Sequence, residues 1–125
     1  MMSSERCALF MRKNEVYLAH ILQAISDIEK FTQEVSENEF YGNREKQYAV
    51  LRALEIIGEA TKNLSKEIKS KCPETDWRNI AGMRDKLINV YFGINLPLVW
   101  EVVKEDLPQL KKQAQKLLEN VKSTV

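Results

Sequence analysis

The chain has 125 residues and nearly balanced charge, with 19 basic and 18 acidic side chains and a formal net charge of +1. This length is enough for a single domain over 1–125 with its own hydrophobic core. The near-zero charge excludes nucleic-acid binding through a general basic surface, so any such binding requires a local site.

Nothing in the sequence indicates a membrane or an oxidising compartment. No apolar run reaches the roughly 18 residues of a membrane span, and no secretory signal is recognisable. Cys7 and Cys72 match no metal-binding spacing. We therefore expect a cytoplasmic protein that does not enter a membrane and needs no metal or cofactor, with both cysteines as free thiols.

The spacing of apolar residues predicts helices throughout the chain. Proline and glycine number only three and four, and no alternating strand pattern lies between turn residues. The first helix is expected to begin with Asn14 as its N-cap and to continue to about residue 35, after a loose extension over 1–12. Residues 36–43 form a loop. A second, long helix follows Asn43 and ends near Cys72, because the residue before a proline disfavours helical geometry.

Two further helices complete the predicted fold. The third has Asp76 as its N-cap and runs from residue 77 to about residue 91. The fourth begins after Asn95, accommodates Pro97 in its first turn and continues to about residue 121. Pro108 lies inside this run and is expected to kink or divide it. These segments predict an all-α, up-and-down bundle of four to five helices.

The third helix carries an arginine on its apolar face. Seven residues recur at helical spacing along this face: Trp77, Ile80, Ala81, Arg84, Leu87, Ile88 and Tyr91. An unpaired guanidinium is costly to bury, so Arg84 requires either an acidic partner or a cleft. Arg84 and Tyr91 are two helical turns apart and would project from the same side. This pair is suited to binding a phosphate group, although a buried, salt-bridged arginine would give the same pattern.

The second helix offers acidic partners for Arg84. Arg52, Glu55 and Glu59 interrupt its apolar pattern beside Gly58. Two interpretations are open. One is a solvated face on which Arg52 pairs with Glu55; the other is an acidic side chain that supports Arg84 across the helix packing, with Glu55 favoured over Glu59. Gly58 costs roughly 1 kcal/mol relative to alanine inside a helix, which the close approach of another backbone would offset.

His20 is the only histidine in the chain. It cannot form a two-histidine metal site, and no Ser-His-Asp triad can be assigned around it. Its position next to the apolar Ile21 favours a structural or exposed role over a catalytic one. Paired carboxylates of the glycosidase type, glycine-rich phosphate loops and Walker patterns are absent.

Several segments together resemble a known family. The motif of that family is an arginine, then four to six residues, a histidine, one further residue and a tyrosine; this chain has Arg84, Asn89 and Tyr91 at those positions. The flanking segments that also agree are 52–60, 77–83, 91–95 and the residues around 99–108. Over about residues 14–120 the chain resembles the HepT-like branch of the HEPN superfamily, which consists of small all-α proteins.

The resemblance implies an RNA-cleaving toxin of a toxin–antitoxin pair. Such relatives are homodimers in which two motifs face a shared groove, and they require no metal. Their arginine, here Arg84, holds and polarises the phosphate, while the histidine moves protons to and from the ribose 2′-OH and the leaving oxygen. Their tyrosine, here Tyr91, contributes to the site and accepts AMP from the antitoxin, a minimal nucleotidyltransferase, which blocks the groove.

Position 89 departs from this pattern. An asparagine does not titrate near neutrality and cannot act as a general acid or base, and loss of that role lowers rates by about 10²–10⁴. Its amide still donates hydrogen bonds, so RNA or nucleotide binding through Arg84, Asn89 and Tyr91 is compatible with impaired cleavage. His20 could replace the missing group only if the first helix crosses the motif.

Two alternative interpretations remain open beside the ribonuclease. The first is a non-catalytic partner of the nucleotidyltransferase that accepts AMP at Tyr91. The second is a purely structural bundle in which Arg84 is buried. A ribonuclease predicts that Asn89→His restores RNA cleavage, an AMP acceptor predicts modification of Tyr91 whatever residue occupies position 89, and a structural bundle predicts neither.

Overall fold

The computed structural model describes residues 4–89 and 93–124, with side chains described over 12–89 and 93–123. Its elements in chain order are α1 (Ser4–Thr32), α2 (Glu37–Tyr41), α3 (Arg44–Lys62), α4 (Lys66–Ser70), α5 (Trp77–Ala81), α6 (Met83–Leu87), β1 (Ile88–Asn89), β2 (Gly93–Ile94), α7 (Leu96–Glu101), a π-helical segment (Val102–Asp106) and α8 (Leu107–Thr124). The three long helices α1, α3 and α8 form the body of the protein. The prediction of an all-α bundle is confirmed.

The hydrophobic core lies where α1 packs against α3 and α8. Each long helix buries side chains three and four positions apart, which places them on one stripe of its surface. Members that are almost completely buried include Leu18, Ile21, Ile25, Ile28, Leu54, Ile57 and Ala114. Within the described residues, every helix is either too short or too polar to span a lipid bilayer.

The first helix begins well before the predicted position. α1 starts at Ser4, so residues 4–12, expected to be a loose extension, are part of this helix. Asn14 is not an N-cap: its buried side chain donates to the Ser65 hydroxyl and accepts from the Ser65 N–H, both at 3.0 Å. Asn14 therefore ties the middle of α1 to the start of α4. An asparagine side chain can either cap a helix or form a hydrogen bond with a distant residue, and the local sequence does not show which of the two it does.

Local hydrogen bonds subdivide the next two predicted segments. The predicted loop over 36–43 contains the short helix α2, which begins with a capping box at Ser36. The predicted second helix is divided into α3 and α4, because the Ser65 hydroxyl caps a new helix start. α4 ends at Ser70, just before Cys72, as predicted.

The predicted third helix is correct at its start and wrong at its end. The Asp76 carboxylate accepts from the Asn79 N–H, which confirms Asp76 as the N-cap of α5. The helix is interrupted at Gly82, resumes as α6 and ends at Leu87. The prediction of one continuous helix to about residue 91 is therefore wrong.

A short β-hairpin follows α6 in place of the last predicted helical turn. β1 pairs antiparallel with β2, so that Ile88 lies opposite Ile94 and Asn89 opposite Gly93. Gly93 has a φ of 80°, a left-handed conformation that glycine adopts readily and other residues disfavour. Apolar periodicity did not reveal this hairpin, because a short run of apolar residues fits a helix and a strand equally well.

The fourth predicted helix is capped and divided as expected. The Asn95 side chain accepts from the Leu98 N–H, and Pro97 lies in the first turn of α7. The chain then adopts π-helical geometry over Val102–Asp106, and Pro108 follows at the start of α8. Because proline has no N–H to donate, it interrupts the regular α-helical pattern at this point.

Cys72 is buried and forms no disulfide. The expectation of a free thiol is therefore confirmed at this position. Burial raises the pKa of the Cys72 thiol, although a hydrogen bond with Thr75 acts in the opposite direction. A thiol with a raised pKa is a weak nucleophile at neutral pH, so Cys72 acts as a packing residue. The side chain of Cys7 lies outside the described residues.

Candidate functional site

Arg84 is paired to Glu55 at the surface of the bundle. The Nε of Arg84 lies 2.8 Å from Glu55 Oε1, and Nη1 of Arg52 lies 3.0 Å from Oε2 of the same carboxylate. The Arg84 side chain is 64% exposed, whereas that of Glu55 is 25% exposed. The predicted pairing of Arg84 with Glu55 is therefore present, and the alternative of a buried arginine is wrong. Because two guanidinium groups share one carboxylate, the cluster keeps a net positive charge.

Gly58 allows the helices that carry Glu55 and Arg84 to lie close together. A Cβ atom at Gly58 would lie 3.3 Å from the carbonyl oxygens of both Ile80 and Ala81, at the end of α5. The lack of a side chain lets α5 rest directly on α3, within one turn of Glu55. The following helix, α6, also packs on α3 and presents Arg84 to Glu55. The predicted close approach of another backbone to Gly58 is therefore confirmed.

Glu59 is not part of this cluster. It forms a 3.3 Å ion pair with Lys62 on the same helix, and both side chains are more than half exposed. Both predicted pairings occur at Glu55, which binds Arg52 along α3 and Arg84 across the helix packing. Glu59 belongs to a solvated face, while Glu55 supports Arg84 across the helix packing.

An open groove of about 580 Å³ lies beside the Arg84–Glu55 pair. Its lining residues are Arg44, Gln47, Tyr48, Leu51, Arg52, Glu55, Arg84, Ile88, Gly93, Ile94 and Leu96. Three of them are arginines and one is a glutamate, so the groove is positively charged although the whole chain is nearly neutral. Such a groove suits an anionic ligand that also carries flat or apolar groups.

The hairpin carries a second motif residue next to the groove. Ile88 lines the groove, and Asn89 follows it directly on β1 with an exposed side chain. Arg84 and Asn89 therefore lie on a helix and a strand rather than on one helix. The helix that carries Arg84 ends at Leu87, so Arg84 and Asn89 are not separated by continuous helix. Tyr91 itself lies outside the described residues.

His20 is not among the described residues that line the groove. Its exposed ring packs edge-to-face with Tyr17, with the ring centroids 6.0 Å apart. The helix that carries it, α1, packs against α3 and α8 and contributes none of the described lining residues. The structure therefore gives no support to His20 as a replacement for the motif histidine. In the described part of the chain, no three His, Cys, Asp or Glu side chains are grouped as metal ligands.

Two residues of the groove, Arg44 and Tyr48, were not predicted from the sequence. They share one face of α3 with Arg52, because a spacing of four residues returns to nearly the same side of a helix. The regular interval between these residues was the available signal. This signal is weak by itself, because exposed polar residues at helical spacing are equally typical of a solvated helix face.

The fold and the groove define a class of small all-α protein with an arginine–glutamate pair beside an open, positively charged surface groove. The chain belongs to the ribonuclease HepT-like family, whose model matches residues 21–117. The resemblance to HepT-like members of the HEPN superfamily is confirmed.

Individual relatives agree with this assignment. A protein of Thermococcus cleftensis named "Probable ribonuclease HepT" is 48% identical over 106 residues, which cover 85% of this chain and 96% of that protein. A "Putative RNase" of Methanocaldococcus jannaschii is 42% identical over 107 residues, covering 84% of this chain and 98% of that protein. A "Gamma-glutamylcyclotransferase and putative RNase" of the same organism is 46% identical over 112 residues, which cover 89% of this chain but only 50% of that protein. No solved structure matches the chain significantly.

Proposed function

We propose that the protein is a cytoplasmic toxin subunit of ribonuclease type that binds RNA and whose cleavage step is impaired by Asn89. The observation that supports this most is the Arg84–Glu55 pair at the edge of a positively charged groove, in a chain of the ribonuclease HepT-like family. Glu55 orients the guanidinium through Nε, and most of the Arg84 side chain remains exposed. A guanidinium in this setting is suited to binding phosphate oxygens.

The proposed reaction needs two proton movements. A proton leaves the ribose 2′-OH as it attacks the neighbouring phosphate, and a proton reaches the oxygen that departs. Arg84 stabilises the negative charge that develops on the phosphate oxygens, and Tyr91 contributes to the same site. Arginine stays protonated and asparagine does not titrate, so neither Arg84 nor Asn89 can move these protons. We therefore expect this chain to bind RNA but to cleave it slowly.

The proposal includes two protein partners. A second copy of the chain is expected to pair with the first so that two motifs face a shared groove. A minimal nucleotidyltransferase is the proposed antitoxin, and AMP transfer to Tyr91 would block that groove. No metal takes part in the proposed reaction.

The test compares the unchanged chain with Asn89→His. Histidine titrates near pH 6.5 and can both accept and donate a proton near neutrality, so the variant is expected to cleave single-stranded RNA about 10²–10⁴ times faster. Cleavage should continue in EDTA, and RNA affinity should be similar for both proteins. Asn89→Gln, which keeps an amide, is the matched control and should not gain activity. Gel analysis of a labelled RNA measures all three proteins.

Two results would reject the impaired-ribonuclease proposal. Equal cleavage by the unchanged chain and by Asn89→His would show that residue 89 is not the acid–base group. Absence of cleavage by either protein would favour the second candidate function, the AMP acceptor, which needs no general acid or base at position 89. In that case a cognate transferase with ATP should label the chain, and Tyr91→Phe should abolish the labelling.

A further inference from the structure

One side of the groove is an Arg–Tyr–Arg stripe on α3, formed by Arg44, Tyr48 and Arg52. Successive members are four residues apart, so they lie on one face of the helix at steps of about 6 Å. All three are exposed, with Tyr48 at 57% and the Arg52 side chain at 71%. The stripe thus presents an aromatic ring between two positive charges, in the same groove as Arg84.

Fold stability does not account for two members of the stripe. Tyr48 and Val16 are the large hydrophobic residues that are exposed within the described part of the chain. Arg44 is the first residue of α3, where the positive end of the helix dipole disfavours a cation. None of the ion pairs among the described residues involves Arg44. An exposed ring and a cation at an unfavourable helix end are better explained by a ligand than by packing.

We infer that Tyr48 is a stacking platform for one base of a single-stranded RNA, and that Arg44 and Arg52 bind the phosphates on either side of that base. The inference rests on the proposed function and adds residues outside the family motif. Stacking on an aromatic ring is open to every base, and phosphate contacts carry no sequence information. The stripe therefore holds the strand beside Arg84 without selecting a sequence.

A second copy of the chain is a less suitable occupant of the stripe. A two-fold symmetric contact places the same surface patch of each copy against the other, which would bring like charges of Arg44 and Arg52 together. The acidic residue among the described groove residues is Glu55, and its carboxylate is already shared by Arg52 and Arg84. An RNA strand supplies the negative charge that this surface lacks. In a dimer, the contact between copies would then lie outside the stripe, which would remain accessible to RNA.

The test measures binding of the full chain to a single-stranded oligoribonucleotide with a central 2-aminopurine. Tyr48→Ala is expected to weaken binding about 5- to 150-fold and to remove the fluorescence quenching that stacking causes. Tyr48→Phe keeps the ring and should bind within about twofold of the unchanged chain. Val16→Ala removes an exposed hydrophobic side chain that does not line the groove, and this matched control should change neither signal.

Arg44→Gln gives an independent test of the flanking phosphate contact. Loss of one contact should reduce the slope of log affinity against log salt concentration by about 0.7, whereas Tyr48→Ala should leave that slope unchanged. Normal binding by Tyr48→Ala, or equal weakening by Tyr48→Phe and Tyr48→Ala, would overturn the inference. A Tyr48→Ala variant that sediments as a monomer would also overturn it, since the ring would then belong to an interface between copies.

The measurement also separates this inference from the proposed function. If the unchanged chain binds RNA and only the Tyr48 variants behave differently from expectation, the stacking platform is rejected and the ribonuclease proposal stands. If the unchanged chain binds no RNA at low salt, both are rejected.

Discussion

The Glu55 carboxylate accepts from Nε of Arg84 on one oxygen and from Arg52 on the other. A guanidinium is planar and rigid, so a contact at Nε restricts the orientation of the whole group. Exposed ion pairs contribute only about 0–1 kcal/mol to folding. At the residue scale, Glu55 therefore matters for the positioning of Arg84 much more than for stability.

Glu55→Ala should separate these two contributions when it is made in the Asn89→His background. We expect the maximal cleavage rate to fall about 10- to 100-fold, because Arg84 loses its orientation. RNA binding should be unchanged or tighter, because a negative charge has left the groove. Single-turnover cleavage and fluorescence anisotropy measure the two quantities.

Glu59→Ala is the matched control, because it removes the same charge from the same helix but from a residue that pairs with Lys62. It should leave the cleavage rate unchanged. Similar losses of rate in both variants would contradict a specific positioning role for Glu55.

At the scale of elements, the crossing of α5 over α3 at Gly58 is what places α6 and its arginine beside Glu55. The contact is between backbones, since the carbonyl oxygens of Ile80 and Ala81 occupy the space that a side chain would need. A larger residue at Gly58 must therefore displace α5 from α3.

Gly58→Val is expected to lower the free energy of unfolding by about 1–3 kcal/mol through overpacking. Gly42→Ala is the control, because a Cβ there would lie 3.7 Å from Asn38 O and 3.8 Å from Glu39 O, which is ordinary contact. We expect the control to stay within about 0.5 kcal/mol of the unchanged chain. Urea unfolding followed by circular dichroism measures both, and equal stability of Gly58→Val would contradict the close packing described.

In the molecule as a whole, a nearly neutral chain places three arginines and one glutamate along one groove. A single groove offers few groups with which to hold an RNA backbone. Pairing two copies around a shared groove would double the number of guanidinium groups that face the strand. The small number of charges that each copy contributes is the reason why we propose a dimer.

Sedimentation at micromolar concentration should show a dimer or a multiple of it. The dimer should persist in Tyr48→Ala, because the stripe is expected to line the groove without forming the contact between copies. A monomer of the unchanged chain under these conditions would remove the shared-groove model and leave each groove to act alone.

The fold class and the pairing of Arg84 with Glu55 could be predicted from the sequence alone. Helix starts at Asp76 and Asn95 were readable, because a capping side chain acts on backbone groups within three residues. Arg84 was recognisable as a charge on an apolar stripe, and Gly58 as a costly residue inside a helix. These features follow from local periodicity and from the cost of burying a charge, which depend little on distant parts of the chain.

Only the tertiary structure decided where helices end and which polar faces meet. Asn14 hydrogen-bonds Ser65 across the bundle, so its role depends on a residue far away in the chain. The hairpin after Leu87 depends on pairing between β1 and β2, which overrides an apolar pattern equally compatible with a helix. Tyr48 lines the groove because α3, α6 and the hairpin lie side by side in the fold. A groove is formed by several elements together, so the spacing along α3 places Arg44, Tyr48 and Arg52 on one face but does not show that this face lines a groove.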